Sequence, residues 1–258
     1  MGLMDRIFGT SSKSLDTKKQ RAEFKNIRHF EATLKQKEAT KQLILTSNEK
    51  LVQDKTIEPF NHWSVAMMIL DMIYINYSIG NSISECNLLY KEAAKWYKYG
   101  WDSSAAYSDM LDMVSLGYLL KAPDSSFDGV VEYVKNADKG SDDEQWHPDA
   151  ILWYIIAAKN GNGNTTERVR WPKLYQPLLD ITKMSKKDAE LAMQSYLDNW
   201  YALHRNDPWY DNHKKELVYI GYWSWEAAAI TKIMKLDDTS FKDHPNYPYD
   251  MVHWNFNE

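Results

Sequence analysis

The chain has 258 residues, enough for one large domain or two small ones, and its single cysteine, Cys86, excludes an internal disulfide and a cysteine-based zinc site. The longest apolar run, residues 65–77, is interrupted by Asp71 and Asn76 and is too short to span a membrane. The net charge of −5 is concentrated in residues 102–149, where 3 Lys/Arg stand against 11 Asp/Glu, and such an acidic field repels nucleic acid and attracts a basic partner.

The N-terminal segment, residues 1–58, is rich in Lys, Glu and Gln, with 12 Lys/Arg against 8 Asp/Glu. Its sparse apolar positions predict one or two long surface helices over residues 15–52. The start lacks the apolar stretch of a signal peptide, and Arg6 disrupts a myristoylation pattern. We therefore expect a cytoplasmic protein without a membrane partner.

Two well-marked helices follow this segment. Apolar residues recur at helical spacing over residues 59–79, with Pro59 at the start and Gly80 at the end. Ser82 and Glu85 then form a capping box that opens the next helix. The mixture of Met and aromatic residues in these stripes is typical of a core.

A fourth helix is predicted to begin at Asp102 or Ser103, either of which can cap it, and to end near Leu120. One face of this helix is apolar. The other carries Asp109 and Asp112, and we expect this second face to begin the acidic surface of the protein.

Later helices follow the same logic of caps and breakers. Residues 126–137 predict one, Pro148 begins a short apolar one, and Pro172 begins another that Pro177 should interrupt. Ser185 caps the next, which has a clear buried stripe. Strand-like alternation is absent throughout, so the sequence predicts an all-α, multi-helix globular protein.

An eight-residue pattern occurs twice, at residues 120–127 (LKAPDSSF) and 234–241 (MKLDDTSF), offset by 114 residues. In both, an apolar helix ends at Lys and a Phe follows after a corner rich in Asp and Ser/Thr. This pattern suggests two helical halves related by an internal repeat, although shared capping chemistry alone could produce it. The division that follows is residues 1–58, residues 59–139 and residues 140–258.

The most accessible acidic group is predicted in a loop after the fifth helix. It consists of Asp138, Asp142, Asp143 and Glu144, with Trp146 at its edge. Trp is common at interface hot spots because it buries a large area with few rotatable bonds. We therefore expect these five residues to form a binding surface for a basic partner.

Residues 216–235 carry apolar side chains on nearly every face and predict one long, buried helix. Glu226 stands within it, and a buried carboxylate must be hydrogen-bonded or paired. The following residues 244–250 contain two prolines and should form an irregular strap with free backbone N–H groups. We expect the strap to satisfy Glu226, which makes this residue structural rather than catalytic.

His204, Asp207, Asp211 and His213 could in principle ligate a metal, but Pro208 breaks the helix between the two pairs. Capping and salt bridges are the favoured use of these side chains, and the sequence predicts no metal and no cofactor. The alternative is a helical metal-dependent hydrolase that uses Glu226 with His204 or His213, which stoichiometric metal in the purified protein would favour. A helical scaffold protein is a further alternative.

Several stretches of the C-terminal half match the pattern of a known family. They are residues 209–213 (WYDNH), 221–229 (GYWSWEAAA), 236–240 (LDDTS) and 247–250 (YPYD), with weaker agreement at 107–111 (YSDML) and 115–120 (SLGYLL). On these motifs the chain resembles the PoNi family, immunity proteins that bacteria make against polymorphic DNase toxins called PoNe. Trp225 stands where Phe is usual in the family, an aromatic exchange that leaves the resemblance intact.

The resemblance covers most of the chain beyond about residue 60. It implies a cytoplasmic, non-enzymatic protein that binds a cognate DNase toxin, delivered between bacteria by a specialised system such as type VI secretion, and blocks its basic DNA-binding or catalytic surface. The motifs supply a set of structural residues, namely Gly221, Trp223, Glu226, Asp238, Tyr249 and Asp250. Nucleic acid is not an expected partner.

Overall fold

A computed structural model of the chain describes residues 19–53, 58–142 and 144–255. Within these ranges the protein consists of helices joined by turns and irregular segments and contains no strand, which confirms the all-α prediction. The helices are α1 (Ile27–Gln53), α2 (Pro59–Ile79), α3 (Ile83–Tyr97), α4 (Tyr107–Leu119), α5 (Asp124–Gly140), α6 (Ala150–Asn160), α7 (Pro172–Ile181), α8 (Lys186–Leu203), α9 (Trp225–Met234) and α10 (Tyr249–His253). None of these described helices is both long and apolar enough to cross a membrane.

Helix α4 lies at the centre of the fold, because it packs against α3, α5, α6 and α9. Its apolar residues are buried on nearly all faces, and each such side chain stabilises the fold by roughly 1.5–3 kcal/mol. Helix α9 contacts α4, α6, α8 and α10. The buried side chains of the N-terminal and C-terminal halves therefore belong to one hydrophobic core.

Local capping signals were sufficient to place several helix ends. Pro59 occupies the first turn of α2, and Gly80 ends it in the left-handed conformation with a φ of 94°. The hydroxyl of Ser82 accepts a hydrogen bond from the backbone N–H of Glu85 at the start of α3. Ser185 caps α8 in the same way. These caps were readable in the sequence because each one involves residues only three positions apart.

Two predicted boundaries were wrong. Helix α4 begins at Tyr107, not at Asp102 or Ser103, because the carboxylate of Asp102 accepts a hydrogen bond from the backbone N–H of Ser104 and closes a separate turn. Pro177 does not interrupt α7, which continues through it to Ile181 with its apolar face buried against α6 and α8. Tertiary packing outweighs the one hydrogen bond that proline removes.

The largest difference concerns residues 216–235, predicted as one helix. Helix α9 begins only at Trp225, and residues 218–224 form an irregular segment, here called the crossing segment. Its backbone groups are satisfied by other parts of the chain. The hydroxyl of Ser78 donates to the carbonyl of Ile220 (2.7 Å), and His29 Nε2 donates to the carbonyl of Tyr219 (2.9 Å). These long-range bonds replace the helical ones.

The two copies of the eight-residue pattern form the same backbone corner. Lys121 follows α4 with a φ of 49°, and Lys235 follows α9 with a φ of 53°. In each case the next residue donates its N–H to the carbonyl five positions earlier. The N···O distance is 3.0 Å from Ala122 to Gly117 and 3.1 Å from Leu236 to Thr231. The copies then diverge, because α5 follows the first and an irregular turn follows the second.

The proline-containing strap also packs differently from the prediction. Residues 244–248 are irregular, but Tyr249 begins the short helix α10, which contacts α9. The strap bonds to the crossing segment rather than to Glu226. The backbone N–H of Ser224 donates to the carbonyl of Asn246 (2.9 Å), and the amide of Asn246 donates to the carbonyl of Tyr222 (3.0 Å).

Candidate functional site

A cleft of about 400 Å³ lies between α2, α4, α8 and the crossing segment. Most of its lining comes from α2, α4, the turn after α8 and the crossing segment, and α1, α7, α8 and α9 each add one residue. The volume falls in the range of pockets that hold small ligands, about 300–1,000 Å³. We call this feature the acidic cleft, for the reason given next.

Carboxylates dominate the polar lining of the acidic cleft. Five of the described lining residues are acidic: Asp71, Asp109, Asp112, Asp207 and Glu226. The one Lys or Arg in that lining is Lys37, whose Nζ lies 2.5 Å from Asp71. Aromatic side chains surround the carboxylates, among them Tyr74, Tyr175, Trp200 and Trp209. The fold therefore gathers negative charge in an aromatic enclosure.

Glu226 lies in the first turn of α9 and is only 4% exposed. Its Oε1 accepts hydrogen bonds from Trp200 Nε1 (2.7 Å), Ser224 Oγ (2.7 Å) and Tyr196 Oη (3.1 Å). The expectation that strap N–H groups satisfy this carboxylate was therefore wrong, since its donors are side chains of α8 and of the α9 N-cap. A helix N-terminus also favours a negative charge.

Asp109 and Asp112 were expected on an exposed face of α4, and this was wrong. Asp109 accepts a hydrogen bond from Trp63 Nε1 (2.9 Å), and Asp112 accepts one from Tyr74 Oη (2.7 Å), so both are half-buried and face α2. Burial raises the pKa of both carboxyl groups. For Asp112 the pKa rises well above its ordinary value, because the neighbouring carboxylates of Glu226, Asp109 and Asp71 add repulsion to the desolvation.

The raised pKa of Asp112 predicts how stability depends on pH. The folded protein retains a proton on Asp112 in a pH range where the unfolded chain has lost it, so this group contributes less stability as the pH rises through that range. We expect Asp112→Asn, which keeps an acceptor for Tyr74, to stabilise the protein by about 1 kcal/mol at pH 7. The gain should vanish below about pH 4, where the carboxyl is protonated in both states.

Thermal unfolding of the wild type and Asp112→Asn between pH 4 and pH 8 measures this effect. The exposed Asp128 provides the control, and Asp128→Asn should change the unfolding temperature little at any pH in this range. A less stable Asp112→Asn at pH 7 would show that the ionised carboxylate stabilises the fold.

The four residues considered as metal ligands do not converge on one point. His204 Nδ1 lies 2.6 Å from Asp207 Oδ2, whereas His213 Nδ1 lies 3.0 Å from the hydroxyl of Tyr222. Asp211 pairs with Lys214 at 2.6 Å. In the described part of the chain no three His, Cys, Asp or Glu side chains are placed to hold a metal ion.

The hydrolase alternative required Glu226 to act with His204 or His213. Neither histidine is a hydrogen-bond partner of this carboxylate among the contacts of the described residues, and the three donors to its Oε1 are Tyr196, Trp200 and Ser224. The side chains that sequence reasoning grouped by proximity along the chain therefore serve separate contacts in the fold.

The acidic loop divides into an inward part and an outward part. Asp138 lies at the end of α5 and accepts hydrogen bonds from Trp146 Nε1 (3.1 Å) and Trp153 Nε1 (2.8 Å), so Asp138 and Trp146 face each other. Asp142 and Glu144 are exposed, and the hydroxyl of Ser103 donates to Asp142. Asp143 lies outside the described residues.

The remaining motif residues hold the crossing segment and the strap in place. Trp223 Nε1 donates to Ser78 Oγ (2.9 Å). Asp238 is buried and receives hydrogen bonds from Tyr247 Oη (2.7 Å) and His253 Nε2 (2.8 Å). Asp250 pairs with Arg21 at 2.5 Å, and the ring of Tyr249 lies 4.2 Å from that of His253.

Two cleft residues, Lys37 and Asp71, were not singled out as a site by the sequence, and Asp207 was considered there only as a metal ligand. One usable signal existed, because Asp71 interrupts the apolar run of α2 and therefore had to face a partner. The partner, Lys37, is 34 residues away on α1, and nothing in the local pattern identifies it.

Comparisons with known proteins agree with this architecture. The fold resembles the crystal structure of protein PA2201 from Pseudomonas aeruginosa, with a TM-score of 0.66 and 17% sequence identity over 92% of this chain and 90% of that one. No match is found among curated proteins. Two family models match, PoNe immunity protein (PoNi), N-terminal, over residues 16–132, and PoNe immunity proteins (PoNi), C-terminal, over residues 147–251. Since these matches span most of the sequence, the chain belongs to the PoNi family of PoNe immunity proteins.

Proposed function

We propose that this PoNi protein binds a cognate PoNe-type DNase in the cytoplasm of the producing cell and neutralises it by occupying the basic surface with which the toxin contacts DNA. A nuclease must present positive charge to the phosphate backbone, so a carboxylate-rich protein can compete for that surface. The observation that carries the proposal is the excess of carboxylates over cations in the acidic cleft, where five acids stand against Lys37.

The charge on the outer surface is smaller than the sequence count suggested. Four of the eleven acids in residues 102–149 are engaged inside the fold or against tryptophans: Asp109, Asp112, Asp138 and Asp149. Exposed acids remain on α5 and the following loop, where Asp128, Glu132, Asp142 and Glu144 reach solvent. These outer carboxylates can steer a basic toxin toward the protein before close contact forms.

Reconstitution tests the proposal. The nuclease encoded by the neighbouring gene is titrated with this protein while cleavage of plasmid DNA is followed, and an unrelated nuclease serves as the control. We expect inhibition to be complete near one equivalent and the unrelated nuclease to stay active. Undiminished cleavage at a tenfold excess would contradict the proposal.

In this proposal the acidic loop after α5 increases the rate at which the protein and the toxin associate. Changing Asp142, Asp143 and Glu144 to Lys should slow association with the nuclease about tenfold at low salt, and less at high salt, because long-range charge acts mainly on the association rate. A control triple with the same charge change, Glu31, Asp180 and Asp243 to Lys, separates the local effect from that of net charge. Stopped-flow rates at two salt concentrations give the comparison. Equal rates for the two triples would show that the loop does not face the toxin.

A further inference from the structure

Three carboxylates of the acidic cleft have neither a cation nor a histidine among their described hydrogen-bond donors. Asp71 is paired with Lys37, and Asp207 with His204, whereas Asp109, Asp112 and Glu226 accept hydrogen bonds from indole and hydroxyl groups. In the described part of the chain no Lys or Arg forms an ion pair with any of these three. Carboxylates gathered in a partly enclosed cleft without a Lys or Arg counter-ion favour the binding of a cation.

A buried histidine supplies an independent sign of an absent ligand. His204 lines the acidic cleft and is 4% exposed, and its Nε2 has no hydrogen-bond partner among the described residues. In the tautomer that carries its hydrogen on Nδ1, the ring donates to Asp207 Oδ2 and Nε2 is an acceptor. An N–H donor bound in the cleft would satisfy this nitrogen as well as the carboxylates.

The rim of the cleft carries apolar side chains that the fold leaves exposed. They are Phe24 (59% exposed), Leu217 (42%) and Val218 (42%), here called the rim patch. Val218 lines the cleft and adjoins Leu217 in the chain, and the ring of Phe24 lies 6.0 Å from that of Tyr219, another lining residue. Exposed apolar groups around a charged pocket are typical of a protein interface.

Two members of the rim patch also have strained backbones. Phe24 has a φ of 66° and Leu217 a φ of 55°, a region in which the Cβ atom of an L-residue crowds the following carbonyl oxygen. Of the five described non-glycine residues with positive φ, two end α4 and α9 at the repeated corner, and Asp211 lies in the turn after α8. Strain and exposure at the same positions indicate that they are held for contact rather than for stability.

We propose that the acidic cleft and the rim patch together form the surface that docks the toxin, with the cleft enclosing one arginine or lysine side chain of the toxin and the rim patch covering the surrounding apolar contact. This inference rests on the proposed function and adds the chemistry of recognition to it. Arginine fits best, because its planar group offers five donors to several carboxylates and stacks on aromatic rings such as those of Tyr74 and Trp209.

The test compares variants that change the cleft without changing its shape. Asp109→Asn/Asp112→Asn should weaken binding of the nuclease roughly 30-fold or more, because it removes the partners of an enclosed cation. The control Glu31→Gln/Asp180→Asn removes the same charge from exposed positions on α1 and α7 and should change the affinity less than threefold. Both proteins are first shown by thermal unfolding to be folded, and calorimetry gives the dissociation constants.

The rim patch has a variant that separates binding from folding. Leu217→Gly relieves the positive φ and should leave the unfolding temperature unchanged or higher, yet it removes an apolar contact and should weaken binding about fivefold. Alanine replacement of each Lys and Arg of the nuclease, measured against wild type and the cleft double variant, then identifies the enclosed cation. Its loss should have little further effect on the cleft variant.

Three outcomes would overturn the inference. Wild-type affinity in the cleft double variant would refute docking at the cleft while leaving the proposed function intact. Failure of the wild-type protein to bind the nuclease would refute both. Micromolar binding of L-arginine amide or spermidine to the free protein, abolished by the cleft double variant and not displaced by the nuclease, would assign the cleft to a small cation instead.

Discussion

Replacing Gly221 with alanine is expected to lower the free energy of unfolding by about 4 kcal/mol. Gly221 has a φ of 115°, and a Cβ atom there would lie 2.2 Å from Ser78 Oγ and 2.4 Å from Trp223 Nε1. The backbone strain costs roughly 1–3 kcal/mol, and separating these buried polar groups adds a similar amount. For a chain of this size the unfolding temperature should fall on the order of 10 °C.

A variant of a second glycine distinguishes the cost of backbone strain from the cost of steric overlap. Gly161 also has a positive φ, 74°, but a Cβ there would meet no atom of the described residues within 4 Å. Gly161→Ala should therefore cost only about 1–2 kcal/mol. Ser78→Ala removes the atom of closest approach, so the double variant Ser78→Ala/Gly221→Ala should lose less than the sum of the two single changes. Equal losses for Gly161→Ala and Gly221→Ala would contradict the packing explanation.

Glu226→Ala is expected to destabilise the protein by about 3 kcal/mol. The change leaves three buried donors without an acceptor, from Trp200, Tyr196 and Ser224, and each buried unsatisfied group costs roughly 1–3 kcal/mol. Water entering the space left by the side chain reduces the total. Denaturant unfolding with unchanged slope gives the measurement.

The matched variant Glu226→Gln keeps an oxygen acceptor in the same place. Its free energy of unfolding should fall by about 1 kcal/mol or less. Asp112→Asn, which removes another cleft carboxylate, should act in the opposite direction and stabilise the protein. If Glu226→Ala and Glu226→Gln lost equal stability, the charge rather than the acceptor geometry would be responsible. A destabilisation below about 1 kcal/mol in Glu226→Ala would show that the three donors find other partners.

The opposite effects on stability expected for changes at Glu226 and Asp112 indicate that these two cleft carboxylates have different roles. Glu226 has three donors on one oxygen and anchors α8 to the start of α9. Asp112 has one donor and a pKa raised by burial and by neighbouring carboxylates, so its charge opposes folding. A charge that the fold tolerates at a cost is typical of a binding site.

The sequence by itself determined the helical class and most helix ends, because caps, prolines and apolar stripes act over three or four residues. Ser82, Ser185 and Gly80 were placed correctly for this reason. The C-terminal motifs also identified the family, since the side chains they contain are the ones that hold the crossing segment and the strap. The sequence identified Glu226 as a buried carboxylate that needs hydrogen-bond donors, but it did not identify those donors.

Only the tertiary structure decided the crossing segment and the acidic cleft. Residues 218–224 have helical spacing, but their backbone groups bond to His29, Ser78 and Asn246, partners up to about 190 residues away that no local pattern reveals. The sequence counts Asp109 and Asp112 as surface charge. In the fold, the indole of Trp63 and the phenol of Tyr74 on α2 donate hydrogen bonds to them. Packing of distant helices determines which carboxylates face solvent, and a single sequence carries no signal of that pairing.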